Sequence, residues 1–229
     1  MGGFIMKKVF LSLLVCALFA SPALAAMSGA DFVELSGTGS GTLQQINEAI
    51  EAGANVNATT GWGGTALMLA ARFNPNHRVV TALLEAGADI NARDAGGSTA
   101  LMWAGNNRYP EVITAVITAL IEAGADVNAR DQNGNTALHH VTQFNLNPEA
   151  ITVLLEAGAD INVRDKHGST PLMWAASGHR NPEVLTALLE AGADASAANV
   201  AGRTALDIIR ENETLRDTGA YRRLYEASR

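Results

Sequence analysis

The chain has 229 residues, of which 48% are hydrophobic and 17% charged, with a formal net charge of −7 and a single cysteine. An acidic balance with no basic block argues against nucleic acid or anionic lipid as a partner. One cysteine gives no disulfide framework. Lys7 and Lys8 precede an apolar run from Val9 to Ala20 and then Ser21-Pro22-Ala23-Leu24-Ala25. A basic start, a short apolar stretch and an Ala-x-Ala site read as a secretory signal peptide over residues 1–25, and the run falls short of the roughly 20 apolar residues that a spanning helix needs. Cys16 lies inside it, so the exported remainder would be cysteine-free. The charge of −7 counts Lys7 and Lys8, so the remainder stands at −9, with Lys166 as its one lysine. It should act in the periplasm or outside the cell, probing partners without a membrane span.

Beyond a short lead, Asp31 to Leu35 predicts a brief helix that Ser36-Gly37-Thr38-Gly39-Ser40-Gly41 breaks. Gly37 to Thr42 has a superficial likeness to a phosphate loop, but lacks the Gly-Lys-Ser/Thr ending and a preceding strand. A second helix is predicted from Thr42 as N-cap, with Leu43, Ile46, Ala49 and Ile50 on one stripe and Gly53 as its end.

A fixed period follows. Thr65, Thr99, Thr136, Thr170 and Thr204 each open a Thr-Ala-Leu or Thr-Pro-Leu segment, at spacings of 34, 37, 34 and 34, and Gly53, Gly87, Gly124, Gly158 and Gly192 repeat the same four spacings. Two markers that drift together mean that whole units were copied. The threonine suits an N-cap and Pro171 suits N1. Residues such as Leu67, Ala70 and Ala71 make a close-packing first helix. A break falls near Asn74-Pro75, Pro110, Asn147-Pro148 or Asn181-Pro182, and a second helix, for example Glu183 to Ala191, turns Val184, Leu185, Leu188 and Leu189 inward. Asp94-Ala95-Gly96-Gly97, Asp131-Gln132-Asn133-Gly134 and Asp165-Lys166-His167-Gly168 suit tight turns between units. Such a unit has no core of its own and must stack on its neighbours.

Thr170-Pro171-Leu172-Met173-Trp174-Ala175, Thr136-Ala137-Leu138-His139-His140-Val141 and the recurring Leu-Leu-Glu-Ala-Gly-Ala-Asp resemble the ankyrin repeat, over about residues 31–229. The resemblance implies an all-α solenoid of stacked antiparallel helix pairs with intervening turn loops. It divides residues 26–229 into an N-terminal cap at about 31–59, four full repeats at about 60–198 and a C-terminal cap at about 199–229, with Arg210, Arg216, Arg222 and Arg223 on the outer side of that cap. Met68, Met102 and Met173 stand where the family often has histidine, which leaves the usual polar bridge to His139 alone. Pro110 to Gly124 spans 14 residues against 10 in the two following units. Four residues are about one helical turn, so the second helix of that unit is predicted to be longer by a turn.

Catalytic constellations are weak. The five histidines offer no i, i+4 pair, so no metal site and no cofactor is expected. The positions where the copies disagree are the candidates for contact. Leu69, Trp103, His140 and Trp174 occupy one register, two residues after the repeated leucine, and either line a groove or pack between repeats. Trp62, beside the variable turn tips that include His167, either presents an exposed ring or folds back over the adjacent repeat. Arg72-Phe73, Asn106-Asn107-Arg108-Tyr109, Gln143-Phe144 and His179-Arg180 sit at or beyond the first-helix ends. Partner-binding candidates are therefore Trp62, Leu69, Arg72, Phe73, Trp103, Asn107, Tyr109, His140, Phe144, His167 and Trp174. The expected function is a non-catalytic, monomeric, exported scaffold for a protein partner. The alternatives are an inhibitor or protector of an envelope enzyme or toxin, and a small-ligand binder or enzyme at His140 and His179.

Overall fold

The computed structural model describes residues 27–37, 41–144, 147–178 and 181–229. The signal segment expected at residues 1–25 lies outside them, as do Thr38–Ser40 and His179. Twelve helices are present among the described residues. The first unit holds α1 (Gly29–Gly37) and α2 (Leu43–Glu51). Four pairs follow: α3 (Ala66–Phe73) with α4 (His77–Glu85), α5 (Ala100–Ala104) with α6 (Ile113–Glu122), α7 (Ala137–Phe144) with α8 (Pro148–Glu156), and α9 (Pro171–Gly178) with α10 (Pro182–Glu190). The last unit holds α11 (Ala205–Ile209) and α12 (Gly219–Ala227). Beyond helices and turns, the described residues show two isolated bridges, Thr59 with Thr65 and Ala198 with Thr204.

The odd-numbered helices pack in sequence as one layer, α1 to α11, and the even-numbered helices as a second, α2 to α12. One continuous core runs between them. Leu67, Leu101, Leu138 and Leu172 from the first layer are buried against Leu83, Leu120, Leu154 and Leu188 from the second. The small residues Ala70, Ala71, Ala104, Ala175 and Ala176 are fully buried and let the first-layer helices approach closely.

The local rules explain each unit. Thr65 accepts from the Met68 amide at 3.3 Å and Thr170 from Met173 at 3.4 Å, while Thr42 and Thr204 form full capping boxes with Gln45 and Asp207. The breaks expected at the Asn-Pro pairs separate the two helices of a unit: Asn147 and Asn181 cap α8 and α10, with Pro148 and Pro182 at the first helical position, while Asn74 ends α3 and Asn76 caps α4. The glycines that end the second helices, at 53, 87, 124, 158 and 192, all have φ near +90°, a region where a side chain is strained.

Two expectations are corrected. α1 begins at Gly29 and continues through Gly37 rather than stopping at Leu35. Ser28 and Asp31 cap it reciprocally, the Ser28 hydroxyl donating to Asp31 at 2.7 Å and the Asp31 amide to Ser28 Oγ at 3.2 Å. At its end the Ser36 hydroxyl donates to the Phe32 carbonyl at 2.8 Å, which keeps a polar residue inside a helix. The extra residues before Gly124 do not add a turn of helix. α6 has 10 residues against 9 in α4, α8 and α10. Its N-cap is Val112, which has no side chain to hold the first amides where its neighbours have asparagine. The preceding α5 is also short, at 5 residues, and Thr99 makes no cap bond, its hydroxyl buried without a partner. The added length therefore lies in the connection, residues 105–112.

Two side-chain ladders and one backbone ladder join the units. Asn57 donates to the Gly87 carbonyl and accepts from the Asp89 amide, and Asn128 does the same with Gly158 and Asp160. Arg93, Arg130 and Arg164 each donate to a carbonyl of the next unit, at Arg130, Arg164 and Ala198. Along the turn tips, the amides of Ala95, Gln132, Lys166 and Val200 donate to the carbonyls of Trp62, Gly96, Asn133 and His167 at 2.8–2.9 Å. Each bond contributes about 0.5–1.5 kcal/mol, and together they hold the turn edge of the stack in register.

Candidate functional site

The register of Leu69, Trp103, His140 and Trp174 is half-buried at every position and packs at the margin of the core. At Trp103 and Trp174 it is fixed by a carboxylate nine residues earlier. Asp94 accepts from the backbone amides of Gly96 and Ser98 through Oδ1, both at 2.8 Å, and from the Trp103 indole through Oδ2 at 2.9 Å. Asp165 repeats the arrangement with His167, Ser169 and the Trp174 indole at 2.8, 2.8 and 3.1 Å. At Asp131 the register residue is His140, whose Nε2 lies 3.7 Å from Oδ2, while Asn135 supplies a closer donor at 3.0 Å. Burial raises the Asp131 pKa, but the nearby His140 and the bonds from Asn135 and Asn133 outweigh it and leave the carboxyl lowered to about 2. The same aspartate thus closes the turn and aims the aromatic side chain. Trp174 lies edge-on to both His139 and His140, at 5.3 and 6.2 Å between centroids.

His139, fully buried, is the polar bridge expected from the resemblance. Its Nδ1 accepts from the Thr136 amide at 3.2 Å, so Nε2 carries the proton and faces the Ser169 carbonyl, also at 3.2 Å. Desolvation lowers its pKa despite the Ser169 bond. Met68, Met102 and Met173 fill the corresponding space as buried apolar side chains.

Trp62 satisfies both readings left open by the sequence. Its ring folds back over Gly64, where any Cβ would strike it at 1.9 Å, and stacks on Trp103 of the next repeat at 5.3 Å and 7° between planes. The ring nonetheless keeps 43% exposure. Phe73 meets Trp103 edge-on at 6.3 Å. The Arg72 guanidinium lies 4.9 Å from the Phe73 centroid and 5.3 Å from that of Trp103, and Arg108 reaches Phe73 at 4.9 Å. The lengthened connection brings Arg108 there: its amide donates to the Arg72 carbonyl at 3.1 Å.

Asn107 has its amide engaged within the fold. Nδ2 donates to the Ala71 carbonyl at 2.6 Å and Oδ1 accepts from the Tyr109 amide at 2.7 Å, so it locks the connection onto α3. Asn74 and Asn212 make the equivalent bonds to Ser36 and Ala176. Tyr109 is half-buried. Leu69 lies against Gly37 under α1. Phe144 is 57% exposed, and His167 is exposed at a turn tip beside Val200.

The structure therefore gathers Trp62, Arg72, Phe73 and Trp103 into one cluster, with Arg108 as a fifth member. It places His140 beside them, through Asn106 Nδ2 at 3.5 Å from His140 Nδ1. A cleft of about 150 Å³ opens between Arg72, Asp94, Trp103, Asn106 and His140. Phe144, His167 and Trp174 stand apart from it in later repeats. The aspartate clamps and Arg108 were not among the candidate contacts, although the nine-residue offset from each turn aspartate to the register residue was a readable signal. No group of three or more histidine, cysteine, aspartate or glutamate side chains suited to a metal is found among the described residues, and none of the described helices is long and apolar enough to cross a membrane.

Stacked helix pairs with turn tips along one edge, built from a copied unit, define a repeat solenoid. The family model described as ankyrin repeats (3 copies) matches residues 36–118 and 114–199, and the chain belongs to the ankyrin-repeat family. No curated protein matches the sequence at a significant level. Ankyrin repeats generally mediate protein–protein interaction and are typically non-catalytic.

Proposed function

We propose that this protein is an exported, non-catalytic scaffold that holds a partner protein on the face formed by its first-layer helices and turn tips. The observation that carries the proposal is the cluster of Trp62, Phe73, Trp103, Arg72 and Arg108, where aromatic rings and guanidiniums gather on a partly exposed surface. Tryptophan and arginine are the residue types that dominate binding hot spots. Asp94 and the turn-tip bonds hold the site in place before any partner arrives, so little ordering entropy remains to be lost on association. The signal-like segment at residues 1–25 supports export, to the periplasm or beyond.

Trp62 and Phe144 can be altered without touching the helix-pair core, as both rings are substantially exposed. Affinity capture from the envelope fraction should recover a stoichiometric partner with the wild-type chain. A Trp62→Ser, Phe144→Ser variant with an unchanged circular-dichroism spectrum should lose it. An unchanged catch would place the binding surface elsewhere.

A further inference from the structure

Among the described residues, the clustered Arg72 and Arg108 form no ion pair with an acidic side chain. The ion pairs among the described residues join Arg203 to Glu211, Arg210 to Asp207, Arg216 to Asp217 and Arg223 to Glu190, with His140 facing Asp131. In a chain with 23 acidic and 16 basic residues, Arg72 and Arg108 are left instead over the faces of aromatic rings. The Arg72 Nε is a buried donor with no hydrogen-bond partner, and Asn106 Oδ1 and His140 Nε2 in the same cleft are unpartnered as well. A buried guanidinium N–H without an acceptor is costly, more than a neutral group would be. The charges do not relieve one another: burial and the nearby Arg108 both lower the Arg72 pKa.

Asp94, the carboxylate on the cleft wall, forms no ion pair with Arg72. Its oxygens are taken by the Gly96 and Ser98 amides and by the Trp103 indole. Asp131 likewise accepts from Asn133 and Asn135, with His140 Nε2 facing it at 3.7 Å. Arg72 in the cleft is therefore left without a negatively charged partner, and the volume of about 150 Å³ suits one side chain rather than a large ligand. Trp103 lines the cleft, and the half-exposed Trp62 ring stacks on Trp103.

From this geometry we infer that the partner is recognised through an acidic segment, with an aspartate or glutamate carboxylate seated in the cleft against Arg72, the nearby Arg108 adding positive charge, and an apolar neighbour packed on Trp62. The inference rests on the scaffold reading and names the chemistry of its occupant. A charge-assisted guanidinium–carboxylate bond, shielded by the surrounding rings, supplies both attraction and a fixed orientation. The chain's overall negative charge opposes an acidic partner at long range, so the pair acts as a local selector.

The test is selection of a random 12-residue display library on purified wild-type protein and on Arg108→Gln and Arg72→Gln/Arg108→Gln variants, each shown to be folded by circular dichroism. The wild type should enrich peptides with an Asp or Glu beside an aromatic or aliphatic residue, and the variants should lose that preference. A selected peptide should bind wild type at least tenfold more tightly than its Glu→Gln counterpart, with less than a twofold difference on the double variant. Enriched peptides without acidic residues, or an acidic preference that survives both variants, would overturn the inference and leave the scaffold reading standing. A wild type that enriches no peptide would count against both. A fluorescent 12-nucleotide single strand that binds in place of acidic peptides, and is lost with the arginines, would also overturn it.

Discussion

Replacing Asp94 with alanine removes three acceptor contacts at once. Two backbone amides of the turn, Gly96 and Ser98, lose partners at 2.8 Å, and the Trp103 indole loses one at 2.9 Å. Hydrogen bonds to a charged group contribute about 1.5–3 kcal/mol each. Gly96 is exposed, so water replaces its contact; the Ser98 and Trp103 contacts are partly buried and carry most of the loss. A destabilisation of about 2–4 kcal/mol follows, or roughly 4–16 °C in melting temperature for a domain of this size. Trp103→Phe deletes only the indole contact and part of the stack, at a cost of about 1–2 kcal/mol. Because both changes break the same bond, the double variant should be less destabilised than the sum by about 1 kcal/mol. Urea unfolding followed by circular dichroism measures all four corners of the cycle. A loss below 1 kcal/mol for Asp94→Ala, or strict additivity, would refute the view that this carboxylate holds both the turn and the aromatic register.

The pH dependence follows from two side chains. His139 has a folded pKa lowered by burial, so its contribution is complete above the unfolded value of about 6.5 and is lost as pH falls below it; His139→Met, which copies the residue of the other repeats, should flatten the stability curve between pH 7 and 5, and an unaltered slope would count against a buried neutral imidazole. Asp131, lowered to about 2, contributes above about pH 3.8 and is lost towards pH 2, so Asp131→Asn should be less acid-sensitive than wild type over that range; parallel denaturation curves would contradict this. Asn128→Ala removes both bonds to the next unit and should cost about 1–2 kcal/mol in urea unfolding, whereas Phe144→Ser, at an exposed ring, should stay within about 0.5 kcal/mol.

The fold was legible because each unit carries its own punctuation. Threonine N-caps, left-handed glycines and the leucine and alanine stripes are local signals, and copying them several times made the register unmistakable. Length alone does not distinguish a longer helix before Gly124 from a longer connection. Val112 offers no cap and Thr99 makes none, so the extra residues fell into the connection instead. Asn107, chosen as a contact because it varies, has both ends of its amide bound within the fold. For Trp62, exposure and packing were treated as alternatives; a ring stacked on one face satisfies both. Arg108 gained its place through that same connection, whose path depends on contacts with α3 in the previous repeat. Such contacts lie more than 30 residues apart and have no local signature.

Site-specific photo-crosslinking in the native host tests the central claim most directly. A photoreactive amino acid at Trp62 or Phe144 should attach one and the same partner protein, and the same probe at Glu85 or Glu156, at the exposed ends of α4 and α8, should not. Equal attachment from both sets of positions, or attachment from Glu85 and Glu156 alone, would contradict a partner held on the first-layer face.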